Sequence, residues 1–314
     1  MPRVLVTGAT GFVGRVLVRR LLEGGWNVRA AVRAPATLPA GVEVAAVGDL
    51  EHPVDWRPAL EGVDFVIHLA ARVHRSGESG PEVLACYRRT NVLATRRLAE
   101  AAATAGVRRM VLMSSVKALG EGGSEPLSAA TVPAPAEPYG ISKLEAESAL
   151  AEAAGAGLDW TVLRPPLVYG PGVGANFRRL MQVVRRGVPL PLGAVRNRRS
   201  LIYVGNLADA VIRCLDHPAA AGRRFLIQDG EAPAVPELVR RLARLLGRPA
   251  RLVPVPVPLL RAGAMLVGAS AAFTRLCGSL EVDDSELRCT TGWLPPFTLD
   301  DGLRATVDDY LSGQ

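Results

Sequence analysis

Val4-Leu-Val-Thr-Gly-Ala-Thr-Gly-Phe-Val-Gly14 joins an apolar run to an amphipathic one through a turn that holds Gly8, Gly11 and Gly14. Arg3 to Val6 is short, β-branched and apolar, as a strand covered on both faces must be, and Phe12 to Leu22 repeats apolar residues at helical spacing. Glycine permits positive φ and lets a phosphate approach the backbone without meeting a Cβ, while the first free N–H groups of the following helix point at that phosphate. The stretch reads as strand, turn and helix start, a seat for the pyrophosphate of NAD or NADP, with Gly8, Thr10, Gly11, Phe12, Val13 and Gly14 as its contacts. The spacing G-x-x-G-x-x-G is not the commoner fingerprint G-x-G-x-x-G, and a glycine triplet alone often matches by accident. Its weight comes from standing between a strand and an amphipathic helix.

Further strands follow at βα spacing. Asn27–Val32, Val42–Val47, Phe65–Ala71, Arg109–Met113 and Leu158–Leu163 are apolar runs, and Arg88–Ala105 has helical periodicity. The expected fold is α/β: a Rossmann-type doubly wound parallel sheet over residues 1–165, with some later segments returning to it, and a smaller C-terminal α/β lobe over 166–314 that binds substrate. An acid at the end of the second strand would bond the adenosine ribose of NAD, whereas an arginine there accommodates the phosphate of NADP. The residues are Val32 and Arg33, which leans toward NADP, although arginine is common throughout the chain. His68, inside an apolar strand, reads as a packed histidine and not a ligand.

With 314 residues the chain can bury a large core. The first strand is expected to begin at Arg3, so no secretory signal is expected, and no run reaches the roughly 18 uninterrupted apolar residues of a membrane span. Leu259–Phe273, interrupted by Arg261, reads as a buried or surface-lying amphipathic helix compatible with peripheral membrane contact. Val253–Leu259, with alternating prolines, reads as a stiff extended linker. Four cysteines without a C-x-x-C pair argue against a zinc or redox motif and for a reducing cytoplasm; no metal site is expected. The net charge of +7 is spread along helices without interleaved aromatics, so nucleic acid is not an expected partner. Of 37 basic residues only Lys117 and Lys143 are lysines, which marks both as places where a compact ammonium is needed.

Arg109–Met113 delivers Ser114 and Ser115 to a strand end, where open α/β sheets hold their ligands. Pro138-Tyr-Gly-Ile-Ser-Lys143 then opens a helix, and residues at i and i+4 share a face. An ammonium near a phenol favours the phenolate, so Lys143 is expected to draw the Tyr139 pKa from about 10 toward neutrality. A base so tuned can take a hydroxyl proton while hydride leaves the same carbon for nicotinamide, with Ser115 bonding the oxygen and Lys143 holding the nicotinamide ribose.

Thr7-Gly-Ala-Thr-Gly-Phe-Val-Gly14 together with Ser115 and Tyr139-x-x-x-Lys143 resembles the extended short-chain dehydrogenases, the family of nucleotide-sugar epimerases and dehydratases, and the resemblance extends over nearly the whole chain. It implies adenine contacts at Asp49 and Leu50, close passage of the cofactor over Leu69, Ala70 and Ala71, and further cofactor contacts at Asn91, Tyr139, Lys143 and Pro166. It also implies a UDP-sugar substrate, met by Ser115, by Asn176 near the diphosphate, by Leu190 in the segment against uracil, and by Arg199 and Arg275 as phosphate ligands. A homodimer is expected. Ala94 stands where the family has glycine after Asn91, and Tyr203, Gly205 and Asn206 depart from its His-Asp-Asp segment. Thr291-Gly-Trp293-x-Pro-Pro matches the close of the lobe, but the family's Arg-x-Gly-Asp is absent and Arg275-Leu-Cys-Gly-Ser stands instead.

The residues after Ser115 are Val116 and Lys117, where a 4,6-dehydratase would carry an Asp-Glu pair, so dehydration is disfavoured. A UDP-hexose or UDP-N-acetylhexosamine 4-epimerase of surface-polysaccharide synthesis and an NADPH-dependent UDP-4-keto-6-deoxy-hexosamine 4-reductase both remain. A non-catalytic, cofactor-sensing Rossmann protein is disfavoured by the joint retention of Ser115, Tyr139 and Lys143.

Overall fold

The computed structural model describes residues 1–73, 81–266, 268 and 270–313. Nine strands occur in these residues: β1 (Arg3–Thr7), β2 (Asn27–Val32), β3 (Glu43–Ala46), β4 (Phe65–His68), β5 (Arg109–Met113), β6 (Asp159–Arg164), β7 (Leu167–Tyr169), β8 (Leu201–Tyr203) and β9 (Arg223–Leu226). Seven form one parallel sheet in the order β3-β2-β1-β4-β5-β6-β9. Order runs one way from β1 to β3 and the other way from β4 onward, so the switch point lies between β1 and β4. A crevice opens at the carboxyl ends of such a pair. The Gly8 turn and the Leu69–Ala71 segment leave the sheet there.

Helices α1 (Phe12–Glu23), α2 (Arg57–Leu60), α3 (Pro81–Tyr87), α4 (Ala94–Thr104) and α5 (Pro138–Ala154) belong to the first half. The second half contributes α6 (Ala175–Arg185), α7 (Val204–Asp216), α8 (Val235–Leu245), α9 (Val257–Leu266), α10 (Ser270–Cys277), α11 (Ser285–Thr291) and α12 (Leu299–Ser312). Side chains alternate across a strand, so β1 sends Val4 and Val6 to one face and Leu5 to the other. The first face packs on Leu17 and Leu21 of α1 and Leu207, Val211 and Leu215 of α7. The second packs on Leu98 and Ala102 of α4 and Ala146 and Leu150 of α5. Helix α7 and strand β9 thus join the layers of the first half although they lie beyond residue 165. The remaining segments build a lobe around the parallel pair β7–β8, with Phe177, Leu238, Leu242, Leu303 and Val307 in its core.

Three elements differ from the sequence expectation. The helix expected at Arg88 starts at Pro81 and passes through a π-helical stretch, Arg88–Leu93, before α4. A widened turn of this kind re-aims side chains and occurs often at functional sites. Leu259–Phe273 is not one helix: α9 and α10 are separate, with Gly268 between them at φ 68°, and α9 has no buried residue. Val253 is paired, its N–H donating to the Leu190 carbonyl at 2.8 Å, and the expected linker becomes α9 from Val257.

Candidate active site

Gly8 has φ 70°, and a Cβ there would stand 2.8 Å from the backbone nitrogen of Ala70. Gly14 is buried with its Cβ position on the Gly8 carbonyl oxygen, so only glycine lets α1 press down on the turn. Gly11 caps α1, donates its N–H to the Gly8 oxygen at 3.0 Å and remains exposed. Above this turn lies a cleft of about 630 Å³, lined by Gly8, Thr10, Gly11, Phe12, Val13, Gly14, Arg33, Asp49, Leu50, Leu69, Ala70 and Ala71. A bare backbone floor beneath a free helix N-terminus fits the diphosphate of a nicotinamide dinucleotide, since any Cβ at Gly8 or Gly14 would fill the space or break the turn. Trp56, Val73 and Thr90 also line the cleft and belong to no motif.

Arg33 lies at the cleft edge, its side chain 78% exposed and its guanidinium 3.8 Å from the Asp49 carboxylate. An acid is thus present beside Arg33, though it comes from beyond β3 and not from the end of β2. Asn91 is buried in the π-helical turn; its amide donates to the Arg72 carbonyl at 3.1 Å and to Ser142 Oγ at 3.0 Å, and its oxygen accepts the Arg72 N–H at 2.8 Å. Its side chain ties the segment after β4 to α5. Thr90, one residue earlier, is the member of this turn that faces the cleft.

Ser115 follows β5 and caps the short 3₁₀ turn Val116–Ala118, its Oγ accepting the Lys117 N–H at 3.2 Å. Tyr139 stands in the first turn of α5, half-buried and edge-on to Tyr87 with ring centroids 6.1 Å apart, and Ser115 is near enough to act on its pKa. Lys143, one turn on, is buried and donates to the Met113 carbonyl at 2.7 Å. Burial pulls the Lys143 ammonium down to about 8, opposed by Glu147. The Tyr139 phenol is pushed up to about 12, because burial outweighs the lowering by Ser115, and Tyr87 adds to the rise. The expected lowering toward neutrality is therefore not seen: an anion on a buried ring loses its hydration, and the lysine charge is engaged at the Met113 carbonyl.

One turn beyond Lys143 lies a buried polar layer that no motif announces. Glu147, fully buried, accepts from Ser114 Oγ at 2.5 Å and from Arg164 at 2.9 and 2.6 Å, and lies 3.3 Å from Arg224. It follows Lys143 by one helical turn, which is the only sign of it in the sequence. Thr7 accepts the Ala70 N–H at 3.1 Å and bonds His68 Nδ1 at 2.7 Å. Burial, aided by the Lys143 charge, takes His68 down to about 3, so it is neutral and packed as its apolar strand predicts. Lys117, the second lysine, is ion-paired with Glu121 and lies 4.0 Å from Glu137.

Pro166, expected at the cofactor, is buried between β6 and β7 and does not line the dinucleotide cleft. The residues expected at substrate are more dispersed: Asn176 is exposed on the first turn of α6, and Arg275 is exposed on α10. Leu190 is half-buried and bridges to Leu252. Arg199 is half-buried, donates to the Gly278 carbonyl at 3.2 Å, and has its pKa lowered by burial against the opposing charge of Glu121. Tyr203 and Asn206 turn out to be braces. Asn206 is buried against Asp229 and the Phe297 backbone, and the Tyr203 ring lies over Gly205 and Gly302, where a Cβ would intrude.

Among the described residues no cluster of three or more His, Cys, Asp or Glu could hold a metal, the four cysteines are free thiols, and no helix is long and apolar enough to cross a membrane. A dinucleotide crevice whose neighbouring strand end presents a serine to a Tyr-x-x-x-Lys helix defines an oxidoreductase of the extended short-chain dehydrogenase class. The chain belongs to the NAD dependent epimerase/dehydratase family, whose profile matches residues 4–227. It is 40% identical over 317 residues to a UDP-glucose 4-epimerase of Vibrio cholerae, covering 99% of this chain and 96% of that one. It is 30% identical to a ceramide reductase of Caulobacter vibrioides, covering 98% and 94% of the two chains. Among solved structures, MoeE5 in complex with UDP-glucose and NAD superposes with a TM-score of 0.78 at 30% identity, covering 99% of each chain.

Proposed function

We propose that the protein is a UDP-sugar 4-epimerase acting on a UDP-hexose or UDP-N-acetylhexosamine in surface-polysaccharide synthesis. The observation that carries this reading is the near full-length likeness to a UDP-glucose 4-epimerase, with Ser115, Tyr139 and Lys143 assembled at one strand end. Bound nicotinamide dinucleotide would supply the hydride acceptor and donor at the sugar C4. Tyr139 would move the proton of the C4 hydroxyl, and Ser115, beside Tyr139, would hold that oxygen. Lys143 would stabilise the phenolate and hold the nicotinamide ribose. Its carbonyl partner and the Glu147 layer keep the ammonium from swinging away. The segments carrying Asn176, Leu190, Arg199 and Arg275 would receive the nucleotide diphosphate. Four free thiols suit a cytoplasmic setting, and a homodimer, checked by sedimentation, accompanies the reading.

Incubation with UDP-glucose and with UDP-GlcNAc, without added cofactor and with products read by NMR, tests it. Appearance of the 4-epimer is expected, and near-stoichiometric nicotinamide should be recovered by acid extraction. The 4-ketoreductase reading is favoured by one observation, the arginine at the cleft edge, which suits an exchanging NADPH. Protein that purifies without cofactor and consumes NADPH only with a 4-keto sugar would replace the epimerase by the reductase.

A further inference from the structure

A second cleft, of about 550 Å³, opens on the C-terminal lobe where the chain leaves α6 and α8. Arg185, Arg186, Arg248 and Arg251 line it together with Gln182 and Tyr310, and no Asp or Glu is in its lining. None of these four arginines has a carboxylate partner among the described residues; Arg185 lies over the Tyr310 ring at 5.8 Å. Elsewhere in this protein arginines are commonly paired, as Arg88 is with Glu145 and Arg241 with Glu231, Glu237 and Asp300.

Helix-end electrostatics account for part of this. A basic residue in the last turn complements the helix dipole, and Arg185 does so for α6. That function needs one guanidinium, and for α8 it is filled by Arg244, which is outside the cleft. Arg186, Arg248 and Arg251 remain, all exposed and all beyond the helices. The sequence around them is one-sided. Residues 160–208 and 238–280 contain fifteen of the 37 basic residues and none of the 30 acidic ones, so although the chain's net charge is +7 the rest of it is net acidic. The excess of positive charge is therefore not evenly spread, as the sequence first suggests, but comes from these two acid-free segments.

Like charges in one concavity repel unless a counter-charge enters, and a guanidinium presents a planar fork that matches phosphate oxygens two at a time. The volume is that of a small-ligand site and exceeds what one inorganic phosphate needs. We propose that this cleft is a second, non-catalytic binding site for clustered phosphate groups, such as a diphosphate, gripped by Arg185, Arg186, Arg248 and Arg251. The phosphates could come from a soluble diphosphate or from a lipid headgroup. The second source enters because α9, starting six residues after Arg251, exposes Leu259, Met265 and Leu266.

The test does not depend on the epimerase reading. The full-length protein is titrated calorimetrically with inorganic pyrophosphate, and its R248Q/R251Q variant is titrated in parallel; the variant leaves the first cleft intact, so binding there is common to both and only the difference reports the second cleft. Both substitutions are at exposed positions, so the thermal melting point should be unchanged. Loss of charge-assisted bonds should weaken pyrophosphate binding about tenfold or more, and wild-type binding should fall as ionic strength rises. Co-sedimentation with phosphatidylcholine vesicles, with and without phosphatidic acid, forms the second arm. Pyrophosphate binding lost in the variant supports the site with a soluble ligand, and acidic-vesicle binding lost in the variant supports it with a lipid headgroup. Binding of neither ligand, or equal binding by wild type and variant, would overturn it.

Discussion

Two groups of residues, those around the Ser115 strand end and those expected at the substrate, are placed in opposite ways. Around β1, β4 and β5 polar side chains are buried and bonded to each other: Thr7 to His68, Lys143 to Met113, Ser114 and Arg164 to Glu147. In the C-terminal lobe, Asn176, Leu190, Arg199 and Arg275 sit on four separate segments, and Asn176 and Arg275 are exposed. Chemistry common to a family must hold reacting atoms to fractions of an ångström, so its residues are locked by the fold. Recognition of one sugar or another can be left to loops, which change without disturbing the sheet.

The strongest way to break this comparison is at Tyr139. Tyr139→Phe removes the proton acceptor but keeps the ring against Tyr87, so turnover should fall by about 10²–10⁴ with cofactor binding nearly intact. Lys143→Arg should be comparably severe, because a planar guanidinium does not fit a buried site shaped for an ammonium that donates to one carbonyl. Steady-state rates and cofactor titrations check both. Near-normal activity in Tyr139→Phe would remove the mechanism.

The Glu147 layer sharpens the comparison, since it should matter for stability as well as for rate. Glu147→Gln leaves Arg164 buried without a counter-charge, and breaking a buried pair in this way costs about 3–5 kcal/mol. Chemical denaturation should show the loss. If the layer also fixes Lys143, the alkaline limb of the pH–rate profile should move to lower pH, because the carboxylate is the group that opposes the burial-driven fall of the Lys143 pKa. An unchanged profile would confine Glu147 to a packing role.

His68 gives a graded effect with a definite sign. Its pKa is about 3 in the folded protein against a usual 6.5, so below 6.5 the unfolded chain binds a proton that the folded one does not. Stability from this group is complete above pH 6.5 and is lost as pH falls toward 3, at up to about 1.4 kcal/mol per pH unit. Urea midpoints for wild type and His68→Gln across that window should converge as the solution is acidified. Parallel lines would mean that the histidine is not buried as a neutral base.

What could be read from the sequence follows the same division. The bounds of β2 and β5 and the start of α1 were legible because parallel strands are continuous apolar runs and because the turn needs glycine at positions 8 and 14. The Ser115, Tyr139 and Lys143 set was legible because helical spacing and a strand end bring it together locally. The elevated Tyr139 pKa was not, since burial by Tyr87 and neighbouring elements is a property of three dimensions. Nor was Glu147, whose partners Arg164 and Arg224 come from β6 and β9. The helix break at Gly268 and the convergence of four arginines at the lobe cleft likewise depend on tertiary contacts that have no short-range pattern.

Arg33 is the mildest test and bears on both groups, because it is an exposed side chain on the bonded side of the molecule. It lines the cleft, yet its guanidinium stands 3.8 Å from Asp49 and an exposed pair of this kind is worth only about 0–1 kcal/mol. A 2′-phosphate would be attracted by Arg33 and repelled by Asp49, and the balance decides the cofactor. If Arg33 dominates, the protein prefers NADP, and Arg33→Ala should weaken NADP binding by up to about tenfold while NAD binding hardly moves. Asp49→Asn should then strengthen NADP binding by a smaller factor, since it removes the opposing charge but also one partner of the arginine. Titration of both cofactors against wild type and the two variants separates the cases. Tighter binding of NAD than of NADP, unchanged in Arg33→Ala, would assign the arginine to the solvent and leave Asp49 as the charge that sets cofactor choice.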